Sequence, residues 1–143
     1  MAHLTEETIK KLMETAVDML QFSYIPYSNY AVGAALLTRS GKIYTGCNVE
    51  NAALTPSNCA ERTAFFKAVS EGEKEFAAIA IVGGRQRVAE EGCTPCGVCR
   101  QVMQEFCDPE TFEIYLGTGP DHYYMQTLKD LLPGGFEKSR VLG

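Results

Sequence analysis

No apolar run in the chain approaches the roughly 20 residues that a bilayer-spanning helix needs, so no such membrane anchor is expected. Basic clusters are missing too. With a net charge of −5 and scattered Lys and Arg, nothing is placed to displace the counterions of a polynucleotide. This argues against a nucleic-acid partner and for a small neutral or weakly charged one. Histidine is reduced to His3 and His122, each isolated, so a zinc ribbon completed by a His pair is not expected. No repeat, low-complexity tract or linker interrupts residues 1–143, which read as a single domain. Residues 1–7 lead directly into an amphipathic pattern without the marks of a signal peptide, and a cytoplasmic, reducing location is expected.

Against these absences stand six cysteines: Cys47, Cys59, Cys93, Cys96, Cys99 and Cys107. A domain of about 150 residues buries about 68–70% of its unfolded surface and needs no disulfide staples. Clustered thiols in a reduced chain serve more often as metal ligands or catalytic groups. Cys59-Ala60-Glu61 and Pro95-Cys96-Gly97-Val98-Cys99 together supply three thiolates and one carboxylate. Zinc held by three protein ligands keeps a water in its fourth position and lowers that water's pKa to ~7, and Glu61 is placed to carry its proton. Taken alone, Cys96-x-x-Cys99 is equally a redox pair or half of a zinc ribbon, and a ribbon needs a second pair. Cys93-x-x-Cys96 is an overlapping frame, ranked lower because Cys93 precedes the helix and gains nothing from its dipole. Cys47 and Cys107 are expected to be small buried hydrophobes.

Ile9, Leu12, Met13, Ala16, Val17 and Leu20 recur at helical spacing, with Thr5 as N-cap and Glu6 and Glu7 in the first turn. A loop over residues 26–29 precedes two strands, 31–38 and 42–47, joined as a hairpin by Arg39-Ser40-Gly41. A helix over 59–69 ends near Gly72, and the almost wholly apolar 77–82 reads as a central strand covered on both faces. After a polar loop over 83–94 come a helix over 96–106 entered at Pro95, strands over 112–116 and 123–126, and a last turn capped by Thr127. The order α-β-β-α-β-α-β-β-α implies an α/β fold, a three-layer α-β-α sandwich with a mixed sheet of about five strands.

Cys59 and Glu61 are two residues apart and would face opposite sides of a helix interior. They converge only if the helix begins at Cys59 and the metal lies beyond its N-terminus. Asn48 and Glu50 alternate at the end of a predicted strand and so share a face; by spacing alone a solvated strand end is the better account of them.

The arrangement [His or Cys]-x-Glu…Pro-Cys-x-x-Cys is the signature of zinc nucleobase deaminases. Asn48-Val49-Glu50-Asn51, Cys59-Ala60-Glu61-Arg62-Thr63-Ala64 and Pro95-Cys96-Gly97-Val98-Cys99-Arg100-Gln101-Val102 resemble small, homotetrameric cytidine deaminases. Tyr27-Ser28, the segment 32–37, Leu131-Leu132-Pro133 and Phe136 match that family's flanking segments in order, so the resemblance runs from about residue 24 to residue 136.

The resemblance implies hydrolytic deamination of cytidine and 2′-deoxycytidine to the uridines, with release of ammonia, in pyrimidine salvage. It also implies a homotetramer with one zinc per chain. Cys59, Cys96 and Cys99 would be the zinc ligands and Glu61 the proton shuttle. Three thiolates around a dication leave an excess charge of about −1, which Arg62 would offset by hydrogen bonding to ligand sulfur. Asn48 and Glu50 would hold the ribose 3′-hydroxyl. Ala60 would also line the substrate pocket, and Tyr30 matches a position, usually phenylalanine, that packs against the base. Phe136 would reach a neighbouring subunit's pocket.

Two departures stand out. Ala53-Leu54-Thr55-Pro56 replaces an aromatic and a glycine of many members, and Pro56 fixes the backbone and removes an amide donor. Tyr30 adds a hydroxyl that needs a partner if buried. Rival readings are a deaminase of another cytosine nucleoside such as blasticidin S, a polynucleotide editor disfavoured by the acidic balance, and a non-catalytic zinc module, which would have no use for Glu61.

Overall fold

The computed structural model describes residues 4–143, so His3 lies outside the described residues. Helix α1 (Glu6–Asp18) starts on Thr5, whose hydroxyl accepts the Thr8 N–H at 3.1 Å, and tightens into a 3₁₀ turn over Met19–Phe22. The apolar stripe read from the sequence is the face that α1 buries: Leu12, Met13, Ala16 and Leu20 have at most 1% exposure.

The sheet holds five strands, β1 (Tyr30–Thr38), β2 (Ile43–Cys47), β3 (Phe76–Arg85), β4 (Glu113–Gly119) and β5 (His122–Thr127), in the order β2-β1-β3-β4-β5. β3 and β4 pair parallel and the other neighbours antiparallel, giving the expected mixed sheet. β3 lies in the middle, buried along nearly its whole length, as its apolar run requires. It runs beyond the predicted 77–82 into the expected loop, because Gly83 and Gly84 still pair with Val32 and Ala31.

Helices α2 (Ala60–Ser70), α3 (Gly97–Phe106) and the short α4 (Leu128–Leu131) pack on one face of the sheet through Ala64, Phe65, Met103 and Leu128; α1 covers the other. Phe65 anchors the first layer against Phe76, Phe106 and Phe112 at centroid separations of 5.0–6.2 Å. α2 ends in a Schellman motif, where the Gly72 N–H reaches Val69 C=O and the Glu73 N–H reaches Ala68 C=O. Thr127 and Asp130 form a capping box on α4. A final turn, α5 (Ser139–Leu142), is exposed and carries no apolar periodicity that would have announced it. Cys47 and Cys107 correct one expectation, since both are half-buried. Cys47 sits on edge strand β2, where only one side can be covered.

Glycine sets how closely the layers approach. A Cβ on Gly46 of β2 would lie 2.2 Å from Ala60 C=O and 2.7 Å from Ala64 N, so α2 rests its backbone directly on the strand. This brings the start of α2 down onto the sheet. Gly46→Ala is expected to lower the stability measured by urea denaturation by about 1–3 kcal/mol. Gly119→Ala, whose Cβ would meet only Val17 at 3.9 Å, should change it by less than about 0.5 kcal/mol.

Candidate active site

Strand directions place five segments at one end of the sheet. β1 enters there at Tyr30, β2 and β3 leave there, and α2 and α3 begin there. This edge, outside the carboxyl ends of strands, is where open α/β sheets bind ligands. A cleft of about 610 Å³ opens along it, lined by Tyr30, Asn48, Glu50, Cys59, Glu61 and Cys93 among others.

Both helices begin on a cysteine. Cys59 is the N-cap of α2 (φ −76°, ψ 155°) and Cys96 the N-cap of α3 (φ −70°, ψ 168°), each extended and without a side-chain cap bond. The extended N-cap takes Cys59 off the helical spiral, which resolves the two-residue spacing problem with Glu61. Cys99, in the first turn of α3, is 1% exposed. Sulfur separations are 3.7 Å for Cys59–Cys96 and 3.4 Å for Cys96–Cys99, and all three lie within 4.8 Å of one another.

A tetrahedral zinc with Zn–S bonds of about 2.3 Å has sulfur–sulfur edges of about 3.8 Å. The donor set therefore fits zinc in type and spacing. Among the described residues no other Cys, His, Asp or Glu joins this cluster. Three donors are one short of zinc's usual four, the number of a catalytic and not a structural site.

Cys93 stays out of the cluster, and its alternative ligand frame falls away. Its thiol faces the Tyr30 hydroxyl, and burial pushes its pKa up to about 11, which keeps it protonated. Tyr30 is half-buried, and its own pKa rises to about 12, first through burial and then through Cys93. The hydroxyl that departs from the family pattern thus has its partner.

Arg62 is half-buried, with Nη2 3.2 Å from Cys59 Sγ. That bond raises its pKa against the opposing effect of burial and keeps it a cation. Its Nε–H is buried with no hydrogen-bond partner, an orphan donor that marks a site built around anionic groups. Within the tightly linked thiols, hydrogen bonding from Cys99 and then Arg62 pulls Cys59 toward thiolate, and Cys99 is pushed up by the same contact.

Glu61, the second residue of α2, is only 3% exposed. Burial pushes its carboxyl up to about 7 despite bonds that favour the charged form. A bound dication would act in the opposite sense. Its neighbour Ala60 is fully buried, with its methyl in the core, so only its backbone is left to meet a ligand.

At the other end of the cleft the chain beyond β2 stays extended, strapped between Tyr24 and Asn58 by bonds through Asn48, Val49 and Glu50. Asn48 Oδ1 accepts the Val32 N–H at 2.9 Å, and Nδ2 donates to Tyr30 C=O at 2.8 Å. Glu50 Oε1 accepts the Tyr27 and Ser28 N–H groups at 3.0 and 3.1 Å, and Oε2 accepts the Ser28 hydroxyl. The Ser28 bonds lower the carboxyl's pKa, the hydroxyl most. What remains is one amide hydrogen on Asn48 and acceptor capacity on Glu50, the complement of a hydroxyl group.

The rim loop 51–57 carries Leu54 at φ +64° and 73% exposure. Phe136 is 61% exposed and does not line this chain's cleft; its carbonyl accepts from Gln101. Ser28 and Asn58 were not read as site residues, since hydroxyl and amide side chains in loops carry no spacing signal. A larger cavity of about 1070 Å³ lies between α1 and the β1–β2 turn and holds no thiol.

Residues 6–114 match the family of the cytidine and deoxycytidylate deaminase zinc-binding region. A cytidine deaminase of Sporosarcina psychrophila is 45% identical over 91% of this chain and 92% of its own length. A probable cytidine deaminase of Dictyostelium discoideum is 39% identical over 97% and 90%. The crystal structure of cytidine deaminase from Burkholderia pseudomallei superposes with a TM-score of 0.80 at 45% identity, covering 93% of this chain and 100% of that one. The Mycobacterium tuberculosis enzyme superposes at 0.73 and 36% identity, covering 88% and 94%. With the sheet, the sulfur cluster and these likenesses in agreement, the chain belongs to the cytidine and deoxycytidylate deaminase family.

Proposed function

We propose that this chain hydrolyses the C4 amine of cytidine and 2′-deoxycytidine to give the uridines and ammonia. The observation that carries the reading is Glu61, nearly excluded from water beside three thiols at one end of a cleft whose other end offers a hydroxyl-sized donor and acceptor. Zinc held by Cys59, Cys96 and Cys99 would supply Lewis acidity, making water a nucleophile near neutral pH. Glu61 moves the protons. It takes one from the attacking water, delivers it to N3 of the pyrimidine, and carries the next to the exocyclic nitrogen, which leaves as ammonia. Arg62 holds the Cys59 sulfur and offsets thiolate charge, a role its 3.2 Å contact supports. Asn48 and Glu50 grip the 3′-hydroxyl, which leaves both sugars acceptable, while Tyr30 flanks the base.

The family spans nucleosides and nucleotides, and charge favours the nucleoside here. The residues lining the cleft include Glu50 and Glu61 but no lysine, and their one arginine, Arg62, is engaged with sulfur. A phosphate would meet carboxylate without a free cation. We further infer that residues 1–143 act as one domain in a cytoplasmic homotetramer serving pyrimidine salvage. Exposed Phe22, Tyr24, Tyr27, Leu54 and Phe136 support such an assembly.

Glu61→Gln should remain folded with one zinc per chain, while cytidine loss followed by ultraviolet absorbance falls roughly 10²–10⁴-fold; undiminished turnover would refute the role given to Glu61. For wild type, kcat/KM for 2′-deoxycytidine 5′-monophosphate should lie roughly 100-fold or more below that for 2′-deoxycytidine. Equal values would overturn the nucleoside assignment. A zinc-loaded chain that leaves cytidine, deoxycytidine and blasticidin S unchanged would remove the enzymatic reading altogether.

A further inference from the structure

Immediately after Cys99, α3 carries an arginine for which the chemistry above has no use. Arg100 is half-buried and turns its guanidinium onto two carbonyls from separate parts of the chain. Its Nε donates to Pro95 C=O at 2.7 Å and its Nη1 to Leu131 C=O at 2.6 Å. Leu131 closes α4, so its carbonyl lacks an intrahelical partner. Pro95 is buried and precedes Cys96, the N-cap of α3. The neighbouring Gln101 fastens the same C-terminal segment, its Nε2 donating to Phe136 C=O at 3.0 Å. The chain from the end of α4 onward is thus tied to α3 at two points, and only the Arg100 point also holds the chain entering the sulfur cluster.

Cys96 needs such support more than the other two sulfurs. Cys99 is buried inside α3 and Cys59 is held by Arg62, whereas Cys96 is exposed and follows an irregular loop in which Gln86 and Arg87 both have positive φ. We propose that Arg100 is a positioning residue, a latch that fixes the peptide ahead of Cys96 against α4 and so slows escape of the bound metal. A guanidinium can make both bonds at once from one rigid plane; an ammonium in its place is a point donor and loses that geometry. The proposal rests on zinc being held by the three sulfurs. It makes no use of turnover, so a failure to deaminate cytidine would count against the proposed function and not against the latch.

The test is zinc release from the holoprotein into an excess of chromophoric chelator, followed in time without substrate. Arg100→Ala should release zinc roughly 10–100-fold faster than wild type, and Arg100→Lys should also release it faster, by less. If Arg100→Ala does not fold, Arg100→Lys and Arg100→Gln carry the same comparison. Gln101→Ala should expose the C-terminal segment to limited proteolysis while leaving the release rate within twofold of wild type. Cobalt-loaded Arg100→Lys should show an altered thiolate-to-metal absorption band, a change that simple loss of fold stability would not produce. Release unchanged in the Arg100 variants, or accelerated as strongly by Gln101→Ala, would overturn the proposal, the second by making general loosening of the tail the cause.

Discussion

The site depends on two helices being made to start at the same point. α2 and α3 both begin on a cysteine, and both are pressed to one face of one sheet edge. Neither helix could bring its sulfur there alone. The approach of α2 is set by Gly46, where backbone meets backbone, and that of α3 by the right-handed crossover that a parallel β3–β4 pair demands. The extended backbone of each N-cap aims the sulfur outward before the spiral begins. A metal centre assembled this way needs no histidine and no disulfide, which agrees with a chain poor in the first and lacking the second.

Burial and charge then divide the labour among groups of similar chemistry. Cys93 and Cys59 are both thiols beside the cleft, yet burial near Tyr30 keeps one neutral while an arginine and a neighbouring thiol draw the other toward charge. Glu50 and Glu61 diverge in the same manner. The first is stabilised as an anion by the amides and hydroxyl of Tyr27 and Ser28, and the second is pressed toward the neutral form by loss of solvent. One carboxylate is thereby suited to holding and the other to exchanging a proton.

Much of this was legible before any coordinates. The apolar period of α1, the unbroken run of β3 and the Thr127 cap each reported a local rule that the fold obeys, and their order implied the layers. The Cys-x-Glu and Pro-Cys-x-x-Cys pair identified the chemistry because few other purposes need that carboxylate beside those sulfurs. What sequence could not reveal were contacts made by backbone. Asn48 and Glu50 looked like a polar strand end, since nothing in their spacing says that Val32, Tyr30, Tyr27 and Ser28 will hold them. The expected end of β3 at residue 82 fell short for a related reason. Paired glycines signal a turn locally, and only their partners on β1 make them a strand.

As the proposed hold on the sugar, the pre-engaged Asn48–Glu50 pair would give the cleft a property beyond affinity. Because those side chains are already locked to the β1 backbone and its entry turn, they do not adapt to what arrives. On the proposed reading, the span from that pair to Glu61 is a rigid gauge set by the sheet, testing molecular length as well as composition. On the same reading a free base, however correct its ring, would present nothing at the far mark.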